Sequence, residues 1–197
     1  MILNQILWIA VPILPPNLPL KCVTLWVING LLAGGGTRNY LAVLSSVNCS
    51  ATVAQMIAQR FLQDELANYS NVDGIVPFVH GTGCGLDSSG NGLEILQRVL
   101  WGYARNPNIG GVLLVGLGCE VNQISFLLEA YDITPGPLFK TITIQKSGGT
   151  RKSIDQGIQC LREMLPQVNA IERRPAPVSE IKLGLHAAAP IRINGNI

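Results

Sequence analysis

Charge is the scarcest property of this 197-residue chain: Asp, Glu, Lys and Arg make up 13% of it, about half the usual share. With so few charges and 48% hydrophobic residues, intrinsic disorder is excluded, because disorder requires too little apolar surface to offset the entropy of ordering. Aromatics are only 6%, and the net charge of +2 includes no Lys/Arg stripe. Both argue against a nucleic-acid partner, whose binding rests on neutralised phosphates and stacked bases. No Cys-x-x-Cys pair occurs among Cys22, Cys49, Cys84, Cys119 and Cys160. Neither a zinc finger nor a disulfide framework fits, and a reduced, cytoplasmic setting is expected. No apolar run reaches the roughly 20 residues of a membrane helix, since the run from Ile6 is broken by Pro12, Pro15, Pro16 and Pro19. No Lys or Arg precedes that run, so a signal peptide is not expected either. The 21 glycines follow no Gly-X-Y period, which excludes collagen and points to many tight turns.

From Tyr40 onward, short β-prone runs alternate with helical patterns. Tyr40–Ser46 is the first strand, and Ala54, Ile57, Ala58, Phe61 and Leu62 then mark one apolar helix face. Gly74–Val79 is the second strand, weakened by Pro77, and Leu93, Leu96, Leu100 and Tyr103 follow on a helix with Glu94 and Arg98 placed as an exposed pair. The unbroken apolar run Gly111–Gly116 reads as a strand buried on both faces of a parallel sheet. A helix over Asn122–Ala130 comes next. Thr141–Ile144 is a fourth strand, and Ile154, Ile158, Leu161 and Leu165 share a helix face that Pro166 should end. Glu180–Leu185 reads as a fifth strand. The expected fold is α/β: an open, mostly parallel, Rossmann-like sheet of about five strands, with helices on both faces and right-handed crossovers.

In such a sheet all carboxyl ends share one edge, and that edge takes the ligand. Cys49 follows the first strand, His80 and Cys84 the second, Cys119 and Glu120 the third, and the Gln145–Thr150 turn the fourth. Any one cysteine is more often packing than chemistry. Three cysteines and one of only two histidines at strand ends favour a site. Imidazole, thiolate and carboxylate suit iron or zinc, although His-x-x-x-Cys matches no standard zinc spacing. Cys49 has a second reading as a thiolate nucleophile at a helix start, without an assignable His partner. Lys146, Arg151 and the backbone N–H groups of Gly148, Gly149 and Thr150 suit a carboxylate or phosphate. Cys22 and Cys160 read as structural.

Several stretches resemble the altronate dehydratase and galactarate dehydratase family of sugar-acid hydro-lyases: Gly36–Tyr40, SVNCSATVA at 46–54, NVDGIVPFVHGTGCG at 71–85, GYARNPNIGGVLLVGLGCEVNQ at 102–123 and SGGTRKSIDQG at 147–157. The resemblance spans about three quarters of the chain. It implies dehydration of an aldonic or aldaric acid to a 2-keto-3-deoxy acid, with dependence on Fe2+; an iron–sulfur cluster on the three cysteines is the alternative. Sulfolactate sulfo-lyase subunits are similar over the same motifs. The catalytic candidates are Cys49, His80 and Glu120, and the metal candidates His80, Cys84, Cys119 and Cys49. The substrate-binding candidates are Arg38, Asn39, Asn48, Asn122, Gln123, Lys146, Gly148, Gly149 and Thr150.

Three segments are expected: an irregular apolar extension over 1–35, the dehydratase α/β domain over 36–185 and an irregular tail over 186–197. Full-length members of the family carry a small domain before this region and a large one after it. After Leu185 the family's Cys-Gly-Gly-Ser-Asp run is replaced by Ala187-Ala188-Ala189-Pro190-Ile191. Codons for His186–Ile191 can be chosen so that the neighbouring frame spells the family run, so a frameshift is expected there, and a second before Gly36. The expected partners are a sugar acid and either a homo-oligomer or the absent family domains, with no membrane. A non-catalytic metal- and anion-binding fragment is the alternative to an active hydro-lyase.

Overall fold

The computed structural model describes residues 24–29, 35–61 and 63–177. In chain order the elements are β1 (Thr24–Asn29), β2 (Gly35–Gly36), β3 (Tyr40–Ser45), α1 (Asn48–Gln59), α2 (Gln63–Leu66), β4 (Gly74–Phe78) and α3 (Asn91–Ala104). They continue with β5 (Ile109–Gly116), α4 (Ile124–Ala130), β6 (Phe139–Thr143), α5 (Ile144–Ser147), α6 (Thr150–Asn169) and β7 (Arg174–Pro177).

The central sheet is four-stranded and wholly parallel, in the order β4-β3-β5-β6. All eight residues of β5 are buried, as a strand covered on both faces must be. Side chains alternate along the strands between two apolar layers. Leu41, Val43, Leu113 and Val115 face α1 and α6, packing with Ile57, Leu161, Met164 and Leu165. Ala42, Leu44, Val112 and Leu114 pack instead with Leu96 and Leu100 of α3 and Leu127 of α4. The expected α/β architecture with helices on both faces is therefore present.

Local expectations are met where burial decides them. Ala54, Ile57, Ala58 and Phe61 are buried, and so are Leu96 and Leu100. Glu94 and Arg98 pair at 2.9 Å. Pro77 is accommodated because β4 is an edge strand, where one missing ladder donor costs little.

Pro166 does not end α6, which continues to Asn169. It stands in the last turn on the exposed side, so one lost N–H bond is offset by burying Leu165 and Val168 beside it. Part of the stretch expected to be irregular, Thr24–Asn29, is a strand. With β2 and β7 it forms a separate antiparallel sheet in the order β2-β1-β7. The Pro-rich stretch after α6, expected as a connection, supplies the edge strand β7 there, a position that tolerates Pro175 and Pro177. The expected fifth strand at 180–185, the tail over 186–197, Cys22 and the proline cluster at 12–19 lie outside the described residues, as does the side chain of Leu62.

Candidate functional site

The shared direction of β3, β4, β5 and β6 puts their four carboxyl-end loops on one edge. β3 ends at Ser45, and Ser46-Val47 lead directly into α1, so Asn48 and Cys49 are the first two helical residues. The loop after β4 folds onto this turn. His80 Nε2 donates to the Ser45 carbonyl at 3.0 Å, and the Thr82 carbonyl accepts the Asn48 N–H at 2.8 Å. Gly83 has φ +104° and lies against Val47, whose Cα would be 3.2 Å from a Cβ at that position. Only glycine combines that backbone angle with that approach, so the run from Gly81 to Cys84 holds Cys84 beside the start of α1.

The loop after β5 is closed by Glu120. Its buried carboxylate accepts hydrogen bonds from Ser46 Oγ at 2.7 Å, the Leu117 N–H at 3.0 Å and the Gly118 N–H at 2.5 Å. Burial pushes the Glu120 pKa up, but hydrogen bonds from Gly118, its own N–H, Ser46 and Leu117 outweigh it and hold the carboxyl below its ordinary value. It is therefore an ionised staple between β3 and β5. Gly118, at φ +124°, lies against Gln145, whose Oε1 would be 2.6 Å from a Cβ there. The Gln145 N–H donates to Leu117 O at 3.0 Å, which fixes the loop after β6 to the loop after β5. Asn122 is fully buried and donates to Ser46 O at 3.3 Å, while its Oδ1 has no hydrogen-bond partner.

Three loops thus deliver Cys49, Cys84 and Cys119 to one edge, all exposed and all as free thiols. The Cys49 thiol is pushed up, first by desolvation, then by its hydrogen bond to the Cys84 thiol and by the charges of Cys84 and Cys119; its own backbone N–H opposes this more weakly. A raised thiol is a poor nucleophile. His80 gives it no base, because Nε2 is bonded to a carbonyl and Nδ1 takes the Thr82 N–H at 3.4 Å. The carbonyl can only accept, which fixes the proton on Nε2. The thiolate-enzyme reading of Cys49 therefore finds no base in His80, whose Nε2 is held by the Ser45 carbonyl.

The same bonds bear on metal binding. Both ring nitrogens of His80 and both oxygens of Glu120 are engaged within the protein. Among the described residues, no group of three or more His, Cys, Asp or Glu side chains is gathered to hold a single metal ion as it stands. The expected mononuclear set of His80, Cys84, Cys119 and Cys49 is not assembled, because the imidazole buttresses the loop. The donors left exposed are three thiols, which suit a cluster that spreads its thiolates more widely than one ion does.

After β6, α5 ends at Gly148 (φ +86°) and Gly149 (φ +103°), and α6 begins at Thr150. Lys146, Arg151 and Lys152 are exposed around this turn, with no acidic residue in the first turn of α6. Asn48 and Gln123 are exposed at the starts of α1 and α4.

Arg38 and Asn39 do not join them. They precede β3 and so lie at the amino edge, about 20 Å away along a six-residue strand. Arg38 pairs with Asp73 at 3.1 Å, and the Asn39 side chain donates to Asn71 O and Val168 O. These bonds tie the start of β3 to the segment before β4 and to the end of α6, away from the cysteine edge. Ser46 and Thr82 carry no role in the sequence reading; polar residues directly following apolar strands were the available signal.

Comparison with known proteins follows the same residues. Residues 33–169 match the family described as D-galactarate dehydratase/Altronate hydrolase, second domain. Altronate dehydratase of Escherichia coli (strain K12) is 34% identical over 163 residues, covering 81% of this chain and 31% of that relative. Altronate dehydratase of Bacillus subtilis (strain 168) is 30% identical, covering 76% of this chain and 29% of the relative. Galactarate dehydratase (L-threo-forming) of Escherichia coli (strain K12) is 28% identical over 166 residues. The chain therefore spans about a third of the length of these relatives. The staples that form the cysteine edge all fall within the matched stretch, and this chain belongs to the D-galactarate dehydratase/altronate hydrolase family, as its second domain.

Proposed function

We propose that this chain supplies the iron-holding domain of a sugar-acid dehydratase, which removes water from an altronate- or galactarate-type acid to give a 2-keto-3-deoxy acid. The observation that supports this reading is the delivery of Cys49, Cys84 and Cys119 by three separate loops to one exposed edge, opposite a basic turn. The three cysteines would hold an iron–sulfur cluster with one iron left open. Such a cluster supplies a Lewis acid for a substrate carboxylate and hydroxyl.

The chain's own groups do the rest of the binding. Lys146 and the Thr150 N–H would neutralise a substrate carboxylate at the start of α6, while the Gly148 and Gly149 N–H groups close the turn on Gln145 O at 3.3 Å and Ile144 O at 3.0 Å. Asn48 and Gln123 offer amides to substrate hydroxyls, the donor and acceptor chemistry a polyol needs. Glu120 and His80 hold the loops in register. Loss of the C2 proton leaves an enediolate, and departure of the C3 hydroxide gives the enol of the product. These steps need a base and an acid, respectively.

A second reading follows from length, since the chain spans about a third of its relatives: it binds iron and the acid without turning it over. One experiment separates the two. The full chain is reconstituted anaerobically with iron and sulfide, assayed for iron, acid-labile sulfide and product from altronate and galactarate. Iron with matching sulfide and product supports the dehydratase. Iron and sulfide without product support the binding domain. Iron retained after all three cysteines are changed to serine overturns both.

A further inference from the structure

The three thiols are not equivalent neighbours. Cys49 and Cys84 stand on backbone segments pinned to each other by the Asn48 N–H to Thr82 carbonyl bond at 2.8 Å and by the seating of Gly83 against Val47, where a Cβ on Gly83 would lie 3.2 Å from Val47 Cα. Each cysteine lies within two residues of those pins. The Cys49 thiol donates to Asn48 Oδ1 at 3.5 Å, which keeps it on the turn that the Asn48 N–H pins to Thr82, two residues from Cys84. Cys119 is tied to this turn through its neighbour Glu120, whose partner Ser46 is three residues from Cys49. All three thiols are exposed, so a small oxidant reaches them.

We infer that, when no iron is bound, Cys49 and Cys84 form a reversible intramolecular disulfide that leaves Cys119 as the remaining free thiol of the site. The oxidant is a low-molecular-weight disulfide such as oxidised glutathione. The thiolate of one cysteine attacks the reagent, forming a mixed disulfide and releasing one reduced thiol. The thiolate of the other then attacks the protein sulfur, closing the Cys49–Cys84 bond and releasing the second reduced thiol. The protein loses two electrons and two protons, and the reagent gains them as two thiols. Short loops pinned on both sides keep the two sulfurs at high effective concentration, which favours ring closure over a persistent mixed disulfide. The bond removes two of the three thiols from any metal, so oxidation and iron loading exclude each other. The assignment does not rest on the dehydratase reading, because it concerns the metal-free chain.

The test uses the full chain freed of metal by an anaerobic chelator, treated with oxidised glutathione, alkylated and digested. The expected result is a reductant-sensitive peptide pair joining Cys49 to Cys84, with two fewer titratable thiols than the reduced chain. The pair persists in Cys119→Ser and is absent in Cys84→Ser, which instead retains glutathione on Cys49. Preloading with iron and sulfide lowers the yield of the linked pair at least tenfold. A Cys49–Cys119 link, or mixed disulfides alone in the parent chain, would overturn the assignment. Failure of the dehydratase assay leaves this peptide map unchanged, so the two outcomes are read separately.

Discussion

Replacing Glu120 by Gln isolates the staple that closes the site. Oε2 receives the Gly118 N–H, and Oε1 receives Ser46 Oγ and the Leu117 N–H. In the variant one oxygen becomes an amide that faces a donor, so one charge-assisted bond, about 1.5–3 kcal/mol, is lost. The other two bonds pass from an anionic to a neutral acceptor, at a further cost of about 1 kcal/mol. The sum is about 3 kcal/mol at neutral pH, or about 6–12 °C in Tm for a domain of this size. The pH dependence supplies a second check. Because the folded carboxyl titrates below its ordinary value of 4.5, its stabilisation is complete above that pH and erodes as the pH falls through the lower folded value. The gap between parent and variant in urea unfolding is therefore flat from neutral pH down to about pH 5 and narrows below it. A variant within about 0.5 kcal/mol of the parent at neutral pH, or a gap that stays constant into the acid range, refutes the staple.

Gly157→Ala and Gly102→Ala make a matched pair on two helices, read by thermal unfolding. A Cβ at Gly157 would come within 2.4 Å of Ile57 Cδ1, where α6 packs on α1, so that change costs about 1–3 kcal/mol. A Cβ at Gly102 meets nothing within 4 Å, and alanine there gains about 0.5–1 kcal/mol from helix propensity. Arg98→Ala breaks the pair with Glu94, whose side chains are 65% and 69% exposed, and urea unfolding should move by no more than about 0.5 kcal/mol.

The parts of the fold legible from sequence are those where one force decides. The run through Val112, Leu113, Leu114 and Val115 has no polar side to show solvent, so it can only be a strand covered on both faces. Cys49 at the head of α1 follows from Ser45 ending the strand and an apolar period beginning after it. What escaped notice depends on distant pairing. Thr24–Asn29 is a strand because Arg174–Pro177, far along the chain, pairs with it. The loop contacts of His80 were equally hidden: its residue type suggests a ligand, and only the fold shows that its ring also ties the loop after β4 to the Ser45 carbonyl.

The two edges of the central sheet show why cysteines rather than basic residues mark the functional side. At the amino edge the polar groups satisfy one another: Asp73 accepts from Arg38, the Asn39 N–H and Arg173, and Asn71 donates its backbone N–H and its side-chain amide to Asn169. A charge so occupied has little left to offer a ligand, whatever motif contains it. At the carboxyl edge the same kind of bonding is confined to a lower tier, Ser46, Glu120 and Asn122 with the His80 ring, all turned toward backbone or one another. Beside these bonds the thiols of Cys49, Cys84 and Cys119 are left exposed. Glu120 accepts from two loop N–H groups and from Ser46, and His80 donates through Nε2 to the Ser45 carbonyl, so both hold the loops in place. The loops of this edge are thus held by oxygen and nitrogen groups, while the three thiols and the basic residues around the start of α6 are left exposed.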